Sequence, residues 1–235
     1  MFICFAVSTA LSQTISITPK HDGTDKFYKN WHTLISTHFI FHFPPSTAVD
    51  DKMKFAYIHE QAYAKINTFT NSSLPKKIDY FVWNYSAEAE RFGLHELSFA
   101  LPEQCIIHAH VKETVGHEIT HVLTHFIRSN KKITTKLINE GIATYFDLNN
   151  NAVYGGNEFK KPTEKISLKE AWHNDKKYSD FVYYFMGAKL IKILNQKFGK
   201  EKLLKLLGNQ TYENAKQLYG RELDKILADI ESRVN

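Results

Sequence analysis

The strongest constraint on this chain is a set of four residues: His117, Glu118 and His121, followed after eighteen intervening residues by Glu140. On a helix, side chains four apart lie one turn apart on the same face. His117 and His121 can therefore offer two imidazole nitrogens to one point in space. The flanking residues Val115, Val122, Leu123, Phe126 and Ile127 are apolar, so the helix carrying the pair, expected over about 113–128, is a buried one. Two histidines and a glutamate buried without a partner are costly, and a metal ion removes that cost. The plainer reading, a charged and solvated helix face, suits a polar flank better than this one.

A second helix must then pack on the first. Residues 137–147 place Leu137, Ile138, Ile142, Ala143 and Phe146 on or near one stripe. Glu140 lies beside that stripe and is the expected third ligand. Zinc accepts two imidazoles and a carboxylate in tetrahedral geometry and keeps a fourth position for water in catalytic sites. Glu118 follows the first histidine, so it can face that water without ligating the ion, as a general base does. Asp147, seven residues after Glu140, is expected two turns along the same face, where it would accept a hydrogen bond from the free ring N–H of a ligand histidine. Structural zinc sites favour cysteine-rich sets, and the chain has only two cysteines.

HEITH and NEGIA, with eighteen residues between His121 and Glu140, together resemble the gluzincin metallopeptidases, most closely the aminopeptidase-N-type branch. The segment is also similar to the small bacterial "peptidase MA-like" proteins. The resemblance covers roughly residues 105–235. It implies a zinc-dependent peptidase acting on peptide or protein substrates. It also implies a catalytic tyrosine three residues before a Gly-Ala pair, matched by Tyr184 before Gly187-Ala188, with Met186 where the branch has Lys. A phenol there donates to the oxyanion that forms as water attacks a peptide carbonyl. Tyr183 competes for the role and Tyr178 stands further off. The branch also carries a Gly-x-Met-Glu-Asn segment whose Glu binds the substrate's free amine. Here Gly93-Leu94-His95-Glu96-Leu97 keeps only the Gly and the Glu. The expected activity is therefore cleavage of internal bonds rather than removal of amino-terminal residues. The alternative is a catalytically silent protein of the same fold that binds metal or peptide.

Six of the twelve histidines fall between His95 and His125. His125 extends the ligand line by a turn but stands about 12 Å of helix from His117, too far to share an ion with it. His108 and His110 share one face of a strand, where a second metal site competes with ordinary satisfied or exposed histidines.

The order of elements predicts an α+β chain of the thermolysin-like zincin type. A small mixed sheet over 13–128, ending in the zinc helix, precedes a helical lobe over 129–235, the whole forming one metallopeptidase domain. Strands are expected at Thr37–Phe43, Lys77–Trp83 and Cys105–Val111, a helix capped by Ser46 or Thr47 and running to about Asn67, a short helix at Ser86–Phe92, a loop at 149–161, and helices at about 178–198, 200–207 and 212–232. In such folds an edge strand holds extended substrate by main-chain bonds; Cys105–Val111 or a neighbour is the candidate.

Hydrophobic residues make up 43% of the 235 and charged residues 23%, an ordinary globular balance. The net charge of +5 is spread along the chain without a basic block interleaved with aromatics, which argues against nucleic-acid binding. No apolar run reaches the roughly 20 residues that span a bilayer. Residues 1–12 resemble the end of a secretory signal, with small residues before Gln13 but no preceding positive region. Read so, the protein is exported; read as a buried strand, it is cytoplasmic. Oligomeric state is not legible.

Overall fold

The computed structural model describes residues 29–47, 51–91, 94, 98–127, 133–147 and 164–234. The expected signal remnant, the loop at 149–161, Gly93 and Glu96 lie outside the described residues.

Among the described residues five strands form one mixed sheet: β1 (His32–Ile35), β2 (Phe39–Phe43), β3 (Ile78–Trp83), β4 (Phe99–Leu101) and β5 (Ile106–His110), in the order β1-β2-β3-β5-β4. β2, β3 and β5 run parallel, while β1 and β4 are antiparallel edges. Side chains alternate across the pleat. One face is therefore Phe39, Phe41, Phe43, Tyr80, Val82, Ile107 and Ala109, all buried. On it pack α1 (Lys52–Thr70), through Ala62, Tyr63 and Ile66, and α3 (His117–His125), through Ile119, Val122 and Leu123. The opposite face carries a cross-strand row of flat rings. His42 stacks on Phe81 at 4.4 Å, Phe81 on His108 at 4.7 Å, and His108 on Phe99 at 4.9 Å.

The first helix starts later than expected. Pro44–Thr47 is a turn closed by Thr47 N–H on the Pro44 carbonyl, and Asp51 caps α1 by accepting from Lys54 N–H at 2.8 Å. A short α2 (Ser86–Glu90) follows β3. The strand expected at Cys105–Val111 is real as β5, but it lies inside the sheet between β3 and β4. The edge is its neighbour β4, only three residues long.

α4 (Lys136–Phe146) crosses α3 and is followed by α5 (Leu168–His173), a π-helical turn (Val182–Met186), α6 (Gly187–Phe198), α7 (Lys200–Gly208), α8 (Tyr212–Tyr219) and α9 (Arg221–Ser232). The helix expected over 212–232 is two, broken at Gly220, whose φ is 62°. Among the described residues, no helix is long and apolar enough to cross a membrane.

Candidate metal centre

α3 begins at His117, four residues later than the periodicity suggests. The backbone of Phe146 and Asp147 crosses against Gly116, where a Cβ would stand 2.5 Å from the Phe146 carbonyl oxygen. The chain before His117 is thus held by the end of α4 rather than by helical turns. His117 and Glu118 occupy the first turn of α3, and His121 lies one turn on.

The three expected ligands converge. His117 Nε2 lies 3.1 Å from Glu140 Oε2, His121 Nε2 lies 3.5 Å from the same oxygen, and the two Nε2 atoms are 3.2 Å apart. A tetrahedral ion with bonds of about 2.1 Å would separate its ligand atoms by about 3.4 Å, so the trio fits zinc in donor type and in spacing. Among the described residues it is the one group of three metal-ligating side chains that converges in this way. Burial opposes ionisation of Glu140, but hydrogen bonds from His117 and His121 outweigh it and hold the carboxyl well below its usual range. For His117, burial is likewise outweighed by Glu140 and the neighbouring charges of Glu118 and Asp147, so its pKa is raised.

Glu118 is 7% exposed and faces the same cleft. Burial raises its pKa against the pull of both histidines. That makes it a better proton acceptor than a solvated carboxylate.

Tyr184 sits in the π-helical turn, and its ring stacks flat on His117 at 5.4 Å between centroids. Single π turns recur at functional sites; this one turns Tyr184 toward the cleft. Burial, the charge of Glu140 and a hydrogen bond to it push the phenol far above its ordinary range, so it remains a donor. Tyr183 points the other way. It is fully buried, donates to the Asn174 carbonyl at 2.7 Å and accepts from Tyr178 N–H. Tyr178 donates to Glu170 at 2.8 Å, away from the centre.

Asp147 is the C-cap residue of α4, with φ −62° and ψ 123°. It is buried and its charge acts on His117. The residue that sequence reasoning missed is Asn139. Its side-chain amide lies 3.2 Å from His121 Nδ1 and so sets that ring's orientation. Its signal was its place as the first residue of the NEGIA segment. His108 accepts from Trp83 Nε1–H at 3.1 Å, and His110 Nε2 lies 2.7 Å from the Asn84 carbonyl. Both bond within the sheet, and among the described residues neither joins a converging group of three metal-ligating side chains.

The cleft over the trio has a volume of about 620 Å³. Ser98 and β4 form one wall, continuing through Pro102–Gln104. Thr124, His125, Thr134, Leu207 and Gln210 also line it.

No protein-family model and no curated protein matches the chain. Among solved structures it is similar to a mutant M1 zinc metallopeptidase from Deinococcus radiodurans, with a TM-score of 0.45 and 13% identity over 87% of this chain and 51% of that one. The chain spans about half the length of that protein.

Proposed function

We propose that this chain is a zinc-dependent peptidase that hydrolyses internal bonds of peptide or protein substrates. The observation that carries the reading is the meeting of His117, His121 and Glu140 within ligand-to-ligand distance of one ion, with a buried Glu118 in the same cleft. His117, His121 and Glu140 would hold the ion. When bound, zinc acidifies water and polarises a carbonyl oxygen. Glu118 takes the proton of the attacking water and passes it to the leaving amine. The Tyr184 hydroxyl donates to the carbonyl oxygen as charge builds there, an interaction that strengthens only in the transition state. Asn139 orients His121, and Asp147 supports His117 electrostatically.

Internal cleavage is supported by the edge strand. β4 ends the sheet and lines the cleft, so an extended segment can pair along it without needing a chain terminus. The test is zinc-loaded protein incubated with a mixed peptide library, with cleavage mapped by mass spectrometry. Internal cuts that vanish on chelation are expected. Tight zinc binding without any cut would leave the catalytically silent protein as the better reading.

A further inference from the structure

Gln210 lies in the turn between α7 and α8 and is 2% exposed, yet it lines the cleft. Its bonds are asymmetric. Its backbone N–H donates to the Ile133 carbonyl at 2.8 Å, and its own carbonyl accepts from Trp172 Nε1–H at 2.6 Å. Its side-chain Oε1 accepts from Thr135 N–H at 2.9 Å, at the start of α4. A backbone N–H can only donate, so it fixes which end of the amide is oxygen. The Nε2 group then points away from Thr135, and among the described residues no hydrogen bond to it is formed. Nε2 is not among the buried polar atoms left without a partner, so the little surface this residue retains includes its donor, on the cleft that Gln210 lines. A residue that merely ties the α7–α8 turn to α4 uses the oxygen and both backbone groups, and leaves the nitrogen as a donor available to whatever enters the cleft.

We infer that Gln210 Nε2 is a substrate-selecting donor that takes a side chain ending in oxygen, a carboxamide or a carboxylate. The inference rests on the peptidase reading above. Thr135, which Gln210 holds, precedes Glu140 by five residues, about 7.5 Å of helix rise. An extended substrate covers that distance in about two residues at roughly 3.3 Å each. The selected side chain therefore lies within about two residues of the bond cut. Thr134, with its hydroxyl, and Leu207 line the same cleft, so it offers an apolar surface for the stem and polar groups for the tip.

The test reads binding, not turnover. Zinc-loaded full-length protein carrying Glu118→Gln, and the same protein with Gln210→Glu added, are titrated with fluorescent peptides that vary one position at a time among Gln, Glu, Leu and Lys. The first protein should bind peptides with Gln or Glu at one position about tenfold tighter than those with Lys. Gln210→Glu keeps an oxygen for Thr135 N–H and replaces the donor by an acceptor, so the preference should invert toward Lys at that same position. A purely structural Gln210 could lower all affinities together but could not invert one. Peptide binding with no oxygen-ended preference in the first protein, or with an unchanged preference in the second, overturns the assignment. The first of these results stands even if Gln210→Glu fails to fold. Binding of no peptide at all overturns the peptidase reading itself, and this assignment with it.

Discussion

Gly141 and Gly187 meet backbone to backbone where α4 crosses α6. A Cβ on Gly141 would stand 2.7 Å from the Gly187 carbonyl carbon, and one on Gly187 would stand 2.6 Å from the Leu137 carbonyl oxygen. Gly141 follows Glu140, and Gly187 lies three residues after Tyr184. This crossing therefore sets the distance between the acidic ligand and the phenol. A side chain at either position must push the two helices apart, because neither obstruction is a flexible side-chain tip.

Gly187→Ala should cost about 1–3 kcal/mol of stability, the usual range for an overpacked contact. It should also lower kcat toward that of Tyr184→Phe, which removes an oxyanion donor worth roughly 10²–10³ in rate. Denaturant melts and kinetics on one peptide check both. Parent-like stability and rate in Gly187→Ala would mean that the crossing does not position Tyr184.

Ligand and base separate by paired substitutions. Glu140→Ala leaves two histidines and should lose zinc during dialysis, as read by elemental analysis. Glu118→Gln should keep about one zinc per chain and lose hydrolysis by roughly 10²–10⁴. If Glu140→Ala retains zinc as the parent does, the third ligand is another group. If Glu118→Gln retains full activity, another group takes the proton.

The parts of the site that were legible in the sequence depend on local geometry. One helical turn separates His117 from His121 whatever the rest of the chain does, and Glu140 sits on an amphipathic helix whose stripe was plain. What escaped depends on contacts far along the chain. The start of α3 is set by Gly116 against the end of α4. β1, four residues with mostly exposed side chains, and β4, three half-buried ones, carry too little alternation to be seen before their partner strands are known. Spacing to Gly187-Ala188 singled out Tyr184 over Tyr183, but the burial of Tyr183 against the Asn174 carbonyl depends on contacts that spacing does not show. Gln210 carries no motif at all; its role emerges from the Thr135 N–H seventy-five residues away.

His59 predicts an acid-side loss of stability. It is packed among Phe41, Phe55 and Tyr80, and its Nδ1–H donates to the Phe55 carbonyl at 2.7 Å. Burial lowers its pKa from 6.5 to about 4. The unfolded chain therefore takes up a proton near pH 6.5 that the folded chain refuses until about pH 4. The stability tied to neutral His59 is complete above about pH 6.5 and lost as pH falls toward 4, by about 3 kcal/mol in all. Chelated protein and its His59→Phe variant, melted in urea across that window, should differ in slope, with the variant the flatter. Equal slopes would mean that another group titrates.

The last prediction concerns the substrate's amino terminus. An aminopeptidase needs a carboxylate to hold the free amine and so fix the register of the chain. The segment expected to supply it keeps only Gly93 and Glu96 of the Gly-x-Met-Glu-Asn pattern. Among the described residues β4 ends the sheet, along a cleft whose lining includes the metal ligands, Thr134 and Gln210. Main-chain pairing on that edge engages any extended segment, terminal or internal. Acetylating a peptide's amino terminus should therefore leave kcat/KM within a few-fold of the free peptide. A positively charged amine held by a buried carboxylate would instead show a loss of several orders of magnitude on acetylation. Matched free and acetylated peptides, compared by mass spectrometry over time, decide the matter. Residue-by-residue shortening confined to the free peptide would assign the amine to Glu96 or another carboxylate, and the internal-cleavage reading would be wrong.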